Sequence, residues 1–177
     1  MKRSNGFTLS ELLVVLAILG ILATTAIPGF SRWLPSYRLK GAARDLFSNF
    51  QLAKLTAIKD RSECAVYFDS GNCCYQIWSG GPNRIYDGRT GDDVLVKTIE
   101  VSTYGSGVNY GLGDSSAITG VVNLLDNSVV FNSRGFINSS GGYVYFQNNR
   151  NASYAAGVSA SGAVLLRRWT GSTTQWK

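Results

Sequence analysis

The chain of 177 residues contains 17 lysine and arginine residues against 11 aspartate and glutamate residues, and it contains no histidine. Without histidine, neither a Ser/His/Asp nor a Cys/His catalytic arrangement can form, and no P-loop, dinucleotide fingerprint or recognisable pair of carboxylates is present instead. The sequence therefore predicts a protein that is not an enzyme and that uses no cofactor.

An apolar run at residues 7–27 follows a short basic leader at residues 1–6. About 21 residues, at about 1.5 Å rise per residue, are enough to cross the hydrocarbon core of a bilayer as one helix. Lys2 and Arg3 precede the run and the next basic residue follows it, so the positive-inside bias predicts a cytoplasmic N-terminus. A secretory signal peptide would have a shorter apolar region and a small-residue cleavage site, so the run is interpreted as a membrane-spanning helix instead.

A single acidic residue, Glu11, interrupts this apolar run near its start. A carboxylate there costs about 2.5–3.5 kcal/mol on insertion scales, so we expect it to have a partner, and no cation lies within the run. If the leader were cut after Gly6, the new amine of Phe7 would supply a positive charge, in the same chain or in a neighbouring copy. An intermolecular pair would set the axial register between packed helices.

The segment GFTLSELLVVL at residues 6–16 resembles the N-terminal signature of type IV pilins and pseudopilins. The resemblance implies that a prepilin peptidase cuts between Gly6 and Phe7 and methylates the new N-terminus at Phe7. It also implies that Glu11 pairs with the N-terminus of a neighbouring subunit during filament assembly. The proline that interrupts the first helix in this family has its match in Pro28. A plain single-pass anchor with a stray acidic residue is the alternative interpretation.

Residues 28–60 are striped rather than continuously apolar, which predicts an amphipathic continuation of the first helix. A proline inside a helix removes one hydrogen bond and bends the axis, so we expect irregularity between Pro28 and Pro35 and a sounder helix over residues 37–59. The apolar stripe, expected to pack on a sheet, consists of Phe30, Trp33, Leu34, Tyr37, Leu46, Phe47, Phe50, Ala53, Ala57 and Ile58.

The remaining residues, 61–177, predict a β-rich globular head. Short apolar runs separated by Gly, Asn, Asp and Ser are typical of an antiparallel sheet with tight turns, and residues 69–72 predict the first hairpin turn. The glycine-rich stretch 104–120 predicts a long surface loop. The fold class is thus α+β, with a long N-terminal helix packed on an antiparallel sheet. Predicted strands cover residues 65–68, 75–78, 94–101, 121–125, 129–131, 143–147, 154–159 and 163–169.

Three stretches of the later half, FNSRG at 131–135, YVYF at 143–146 and VSASGAV at 158–164, are similar to the GspH/FimT branch of minor pilins and pseudopilins, which includes FimU-like proteins. This resemblance implies a low-copy subunit that helps to initiate or cap a type IV pilus or a type II secretion pseudopilus. It implies an inner-membrane location with the head in the periplasm. The implied partners are other pilin or pseudopilin subunits, prepilin peptidase, an inner-membrane assembly platform and the lipid bilayer.

The three cysteines, Cys64, Cys73 and Cys74, would lie on the oxidising side of the membrane, which makes a disulfide plausible. The sequence does not reveal which pair would form. A tight hairpin turn would place Cys73 opposite Phe68 and Cys74 opposite Tyr67, so Cys64 would face neither without a bulge or a different register. A zinc site is not expected, because histidine is absent and three cysteines at this spacing match no usual site.

Three aspartates, Asp87, Asp92 and Asp93, crowd a glycine-rich loop. Oxygen ligation of calcium is one interpretation, but the loop lacks the alternating acidic pattern and terminal glutamate of an EF-hand. A solvated turn without metal is the favoured interpretation.

The C-terminal region is basic, with no acidic side chain after Asp126. Arginines for phosphates and indole rings for stacking are what a weak nucleic-acid surface would use. Some FimT-like pilins bind DNA through arginines near the C-terminus, which by resemblance suggests DNA as a partner. The favoured alternative is a solvated edge strand, whose arginines prevent sheet-to-sheet pairing, followed by a frayed tail. The candidate DNA-binding residues are Arg167, Arg168, Trp169 and Lys177.

Overall fold

The computed structural model describes residues 7–105, 107–115, 128–138, 141–170 and 176–177, with residues 25, 28 and 32 described by their backbone alone. The chain divides into two compact units, Met1–Leu34 and Pro35–Lys177. The predicted α+β class is confirmed, because one long helix precedes eight antiparallel strands in the described residues. In chain order the elements are α1 (Leu9–Asp60), β1 (Cys64–Asp69), β2 (Cys74–Ser79), β3 (Val94–Glu100), a 3₁₀ turn (Val101–Tyr104), β4 (Asn109–Tyr110), β5 (Ser128–Phe131), β6 (Gly141–Gln147), β7 (Ser153–Ser159) and β8 (Val164–Arg168).

Helix α1 is helical throughout its 52 residues. The expected irregularity between Pro28 and Pro35 thus does not interrupt the helix. Each proline removes only its own N–H from the backbone ladder, and the hydrogen bonds on both sides keep the helix going. The helix ends in a Schellman motif, in which Arg61 has a left-handed φ of 51° and the Ser62 N–H donates to the carbonyl of Ala57 at 3.2 Å.

The strands form two four-stranded antiparallel sheets. Sheet 1 has the order β3-β2-β1-β5, and sheet 2 has the order β4-β6-β7-β8. Seven predicted strands are confirmed with small changes in their ends, while the predicted strand at 121–125 lies outside the described residues. Strand β4 was not predicted. It lies in the glycine-rich stretch expected to be a loop, where Tyr110 stacks on Phe146 with ring centroids 5.2 Å apart.

The core lies where the second half of α1 meets residues of both sheets. Part of the predicted stripe is confirmed, because Leu46, Phe50, Ala53 and Ala57 are buried. The stripe is wrong at its N-terminal end and at Ile58. Near the start of the second unit, the buried positions are occupied mostly by small residues instead of the predicted large ones. A helix that packs closely on a sheet leaves little room for side chains. The stripe residues that are exposed are Phe30, Trp33, Tyr37 and Ile58, and the buried residues that the sequence analysis missed are Leu39, Ala42 and Ala43.

A buried polar contact joins the helix to sheet 1. The Asn49 side-chain amide donates to the hydroxyl of Tyr75 at 2.8 Å, and its carbonyl oxygen accepts from Lys97 Nζ at 3.2 Å. Because buried amides are costly when they lack partners, these bonds favour one placement of α1 on β2 and β3.

We expect the substitution Phe50→Ala to lower the free energy of unfolding by about 3–5 kcal/mol, because it leaves a cavity in the core. Phe50 is fully buried and its ring lies 5.9 Å from that of Phe68. The matched control is Phe136→Ala, since Phe136 is 50% exposed and should cost about 1 kcal/mol. Urea unfolding of the full chain in detergent measures both values, and equal losses would contradict the assigned core.

Candidate assembly site

The first unit exposes an apolar helix surface. Among the large apolar side chains of residues 7–33, the exposed fraction runs from 47% at Val15 to 85% at Phe7, and Leu34 is half-buried. An 18-residue window of α1 has a mean hydropathy of 2.4 with none of its residues buried, so the helix is long and apolar enough to cross a membrane. An exposed surface of this size calls for lipid or other helices around it.

Glu11 has a partner within its own chain. Thr8 precedes the helix as its N-cap, and its N–H and hydroxyl donate to Glu11 Oε2 at 3.0 and 2.9 Å. In return the Glu11 N–H donates to the Thr8 hydroxyl at 3.3 Å. This is a capping box, in which each residue satisfies an otherwise unpaired group of the other at the start of the helix. The sequence analysis missed this role of Thr8, although the spacing Thr-x-x-Glu signals it.

The capping box leaves one carboxylate oxygen available. Oε1 of Glu11 accepts no hydrogen bond from any residue that the structure describes, because both bonds from Thr8 go to Oε2. Phe7, Ser10, Glu11, Val14 and Val15 line a surface depression of about 360 Å³, so Phe7 and Glu11 lie on one side of the helix. This geometry leaves the carboxylate accessible to a cation from outside the chain.

The other residues of the predicted processing and assembly site are placed as follows. Phe7 lies outside α1 and is highly exposed, which puts the predicted cleavage junction before the helix begins. Gly6 itself lies outside the described residues. Pro28 lies within α1, whose backbone continues through it.

The loop between β2 and β3 uses its aspartates to hold its own backbone. The Asp93 carboxylate accepts from the N–H groups of Asp87 at 3.1 Å and Arg89 at 2.8 Å. Asp92 Oδ2 accepts from the Asn83 N–H at 2.9 Å. Across the described residues, no group of three or more His, Cys, Asp or Glu side chains could hold a metal ion. These carboxylates therefore act as turn-forming acceptors.

The C-terminal basic residues lie along the edge of sheet 2. Arg167 and Arg168 are exposed near the end of β8, opposite Ala155 and Tyr154 of β7. Consecutive residues of a strand point to opposite faces, so the two arginines do not share one face of the sheet.

The chain's last two residues, which the sequence analysis placed in a frayed tail, instead pair with this edge. The Arg168 N–H donates to the Lys177 carbonyl at 2.6 Å, and the Lys177 N–H donates to the Arg168 carbonyl at 3.0 Å. Trp169 pairs with Trp176, and their ring centroids are 5.4 Å apart. The expectation of a frayed tail is therefore wrong for residues 176–177.

The cysteines lie at the two ends of the β1–β2 hairpin, and all three are free thiols. Cys64 pairs with Ser79 at one end, whereas Cys74 pairs with Asp69 at the other. The ends are about 16 Å apart along the strand, far beyond the about 4.4–6.8 Å between bridged Cα atoms. A disulfide from Cys64 to either other cysteine does not fit this fold.

The predicted hairpin register is also wrong. Phe68 lies opposite Tyr75, not Cys73. The connection contains four residues rather than two, and it ends at Cys73 in a left-handed conformation with φ of 52°. The Asp69 carboxylate stabilises this longer turn by accepting from the Asn72 N–H at 3.0 Å and from its side-chain amide at 2.7 Å.

We expect Cys64 to resist alkylation in the folded protein. Burial, with a smaller contribution from Asp60, raises the pKa of the Cys64 thiol to about 12, so its reactive thiolate is scarce between about pH 7 and pH 9. Cys73 is only half-buried and serves as the internal control. Iodoacetamide labelling followed by peptide mass spectrometry should show Cys64 reacting at least about tenfold more slowly than Cys73, and similar rates in urea. Equal rates in the folded chain would contradict this burial.

Comparison with known proteins agrees with these features. The sequence model of the prokaryotic N-terminal methylation motif matches residues 1–27, and that of the type II transport protein GspH matches residues 42–163. No curated protein matches the chain. The methylation motif and the exposed apolar helix together fit a pilin anchored in the inner membrane.

Solved structures share the fold at low sequence identity. The type IV minor pilin FimU of Pseudomonas aeruginosa aligns at 12% identity with a TM-score of 0.54, over 74% of this chain and 89% of FimU. A second crystal form of FimU gives 12% identity and a TM-score of 0.50, over 72% and 91%. The minor pseudopilin EpsH of the Vibrio cholerae type 2 secretion system gives 11% identity and a TM-score of 0.47, over 74% and 97%. Since the GspH match covers well over half of the sequence, the chain belongs to the GspH family of minor pilins and pseudopilins, whose members are structural subunits rather than enzymes.

Proposed function

We propose that this chain is a minor pilin or pseudopilin that prepilin peptidase processes between Gly6 and Phe7, and that helps to initiate or cap a type IV pilus or a type II secretion pseudopilus. The observation that carries the proposal is the Glu11 carboxylate, at the first turn of a helix whose apolar surface nothing in the described chain covers. Both features are expected of a subunit that moves from lipid into a bundle of like helices.

The capping box suggests how the carboxylate is kept in the membrane before assembly. Thr8 donates two hydrogen bonds to the Glu11 carboxylate, which lower the cost of an acidic group in an apolar setting. During assembly, Glu11 Oε1 accepts a hydrogen bond from the methylated N-terminal amine of Phe7 in a neighbouring subunit. In an apolar surrounding this charged hydrogen bond is strong and directional, so it fixes the stagger between adjacent helices.

The proposed division of the chain follows from this mechanism. Residues 1–6 are the leader that is removed, and residues 7–27 form the membrane and filament-core helix. Residues 28–60 continue the helix, and residues 61–177 form the head. The N-terminus is cytoplasmic and the head is periplasmic, where it meets other subunits above an inner-membrane assembly platform.

Processing is tested by intact mass and N-terminal sequence of the chain purified from membranes of hosts with and without prepilin peptidase. We expect a chain that begins at N-methylated Phe7 only when the peptidase is present, because the junction lies before the start of α1. A full-length chain in both hosts would show that the N-terminal amine of Phe7 never forms, and the single-pass anchor would become the better interpretation.

Assembly is tested by Glu11→Ala, which we expect to reduce incorporation into filaments by at least about tenfold while membrane insertion and processing continue. The matched control is Thr8→Ala, which removes the two hydroxyl bonds of the capping box but keeps the carboxylate. It should lower helix stability by only about 1 kcal/mol. Quantitative immunoblotting of sheared filaments and membranes measures both. Equal losses in the two variants would mean that Glu11 acts only as a cap.

A second candidate is DNA binding at the C-terminal edge. The observation that favours it is the pairing of the tail with the end of β8, which brings Lys177 beside Arg168 and Trp176 beside Trp169. Cations and stacking rings gathered at one edge suit a single strand of nucleic acid.

DNA binding by the purified full chain should then weaken with salt, and the double substitution of Arg167 and Arg168 by Ala should reduce the slope of log affinity against log salt by about 1–2. The control removes two exposed cations elsewhere in the head, Lys59→Ala with Arg134→Ala. Fluorescence anisotropy with a labelled oligonucleotide measures the slope. Identical slopes for the two double variants would exclude a specific role of this edge.

A further inference from the structure

A cationic cavity lies at the start of the second unit. It has a volume of about 320 Å³, and its lining combines three basic side chains with two tyrosines and a glycine: Tyr37, Arg38, Lys40, Gly41 and Arg44 of α1, and Tyr104 of the 3₁₀ turn. Lys40 and Arg44 are exposed, and Arg38 is half-buried. No acidic side chain lines the cavity, so its electrostatic character is strongly positive.

The three cations have no partner among the residues that the structure describes. Asp45, the acidic residue next to Arg44, accepts instead from the hydroxyl of Tyr104 at 2.8 Å. Burial, with Tyr75 and Asp45 nearby, raises the pKa of Tyr104, so this hydroxyl keeps its proton and remains a donor to Asp45. Three cations thus stand against one nearby carboxylate, and the excess positive charge can be balanced by an anion from outside the chain.

The sequence around the cavity indicates which anion it meets. Phe30, Trp33 and Tyr37 follow the apolar run at helical spacing and are 61%, 54% and 58% exposed. Aromatic residues of this kind collect at the interface between a bilayer and water. The cations of the cavity begin with Arg38, directly after Tyr37, the last of these aromatics. Basic side chains next to a membrane interface attract anionic headgroups.

We propose that this cavity binds the phosphate of an anionic phospholipid headgroup. A guanidinium group binds phosphate through paired hydrogen bonds. Arg38 and Arg44 each supply one guanidinium group, and Lys40 adds an ammonium group. Gly41 leaves the helix surface between these side chains open, since a Cβ added there would meet no atom within 4 Å. The lipid holds the head near the membrane before assembly. The inference rests on the membrane insertion in the proposed function, but not on the pairing of Glu11.

The test uses the full chain in nonionic detergent, titrated with phosphatidylglycerol or phosphatidylcholine, with bound lipid counted by native mass spectrometry. We expect phosphatidylglycerol to bind at least about tenfold more tightly than phosphatidylcholine. The triple variant Arg38→Gln, Lys40→Gln, Arg44→Gln should lose at least about tenfold of that affinity. The control removes the same charge at exposed residues outside both proposed binding sites, Lys59→Gln, Arg84→Gln, Arg134→Gln, and should change affinity by less than about threefold.

A second variant keeps every charge. Gly41→Leu fills the open surface between the cations and favours the helix, so it should fold and still lose at least about fivefold of the affinity for phosphatidylglycerol. Undiminished binding by Gly41→Leu, or equal losses in the two triple variants, would overturn the proposal. So would competition by inorganic phosphate at the same concentration as the lipid, because the site would then bind any phosphate. Since Glu11 is intact throughout, these outcomes are separate from filament incorporation.

Discussion

The apolar surface of residues 7–34 is the constraint on which the rest of the structure depends. The large apolar side chains of residues 7–33 are about half exposed or more, so contacts within the chain cover them only in part. The head differs, because Leu46, Phe50 and Ala57 in the same helix are fully buried against the chain's own strands. The head thus has its own core, whereas the first unit needs lipid or other helices. A chain with this division is suited to storage in a membrane followed by transfer into a helical bundle.

In the proposed assembly, the carboxylate of Glu11 makes that transfer selective. Lipid alone would accept any apolar helix, but an acidic group near one end favours surroundings that supply a cation. Thr8 reduces the cost while the subunit waits, because its N–H and hydroxyl both reach the same oxygen of Glu11. A cap cannot neutralise the charge, however. A neighbour's amine can do so, and it can do so only at one axial offset. The cap and the intermolecular pair are therefore compatible, since they use different oxygens of one side chain.

Much of the fold was predictable, since membrane-length apolar runs and strand alternation depend on local sequence. The errors occur where local sequence is ambiguous or where tertiary contacts decide. Leu39 and Ala42 are buried because the sheets lie over them, while Trp33 looks like core and is exposed. The β1–β2 turn contains four residues because Cys73 adopts a left-handed conformation that sequence rarely reveals. In the candidate site, Glu11 was identified from its setting, but its partner Thr8 was overlooked although the spacing shows it.

The basic excess of the chain is distributed in two structurally different ways. Arg167 and Arg168 alternate across β8, so a ligand on one face of the sheet contacts only one of the two arginines. Any further positive charge must come from Lys177, which pairs with this edge. On α1 the helical period has the opposite effect, because cations three or four residues apart share a side, as Lys40 and Arg44 do. Lys40 and Arg44 can therefore approach one phosphate from the same side of the helix, and Arg38 lines the same cavity. For this reason a lipid headgroup beside the membrane is a better match to the charge pattern than nucleic acid at the sheet edge.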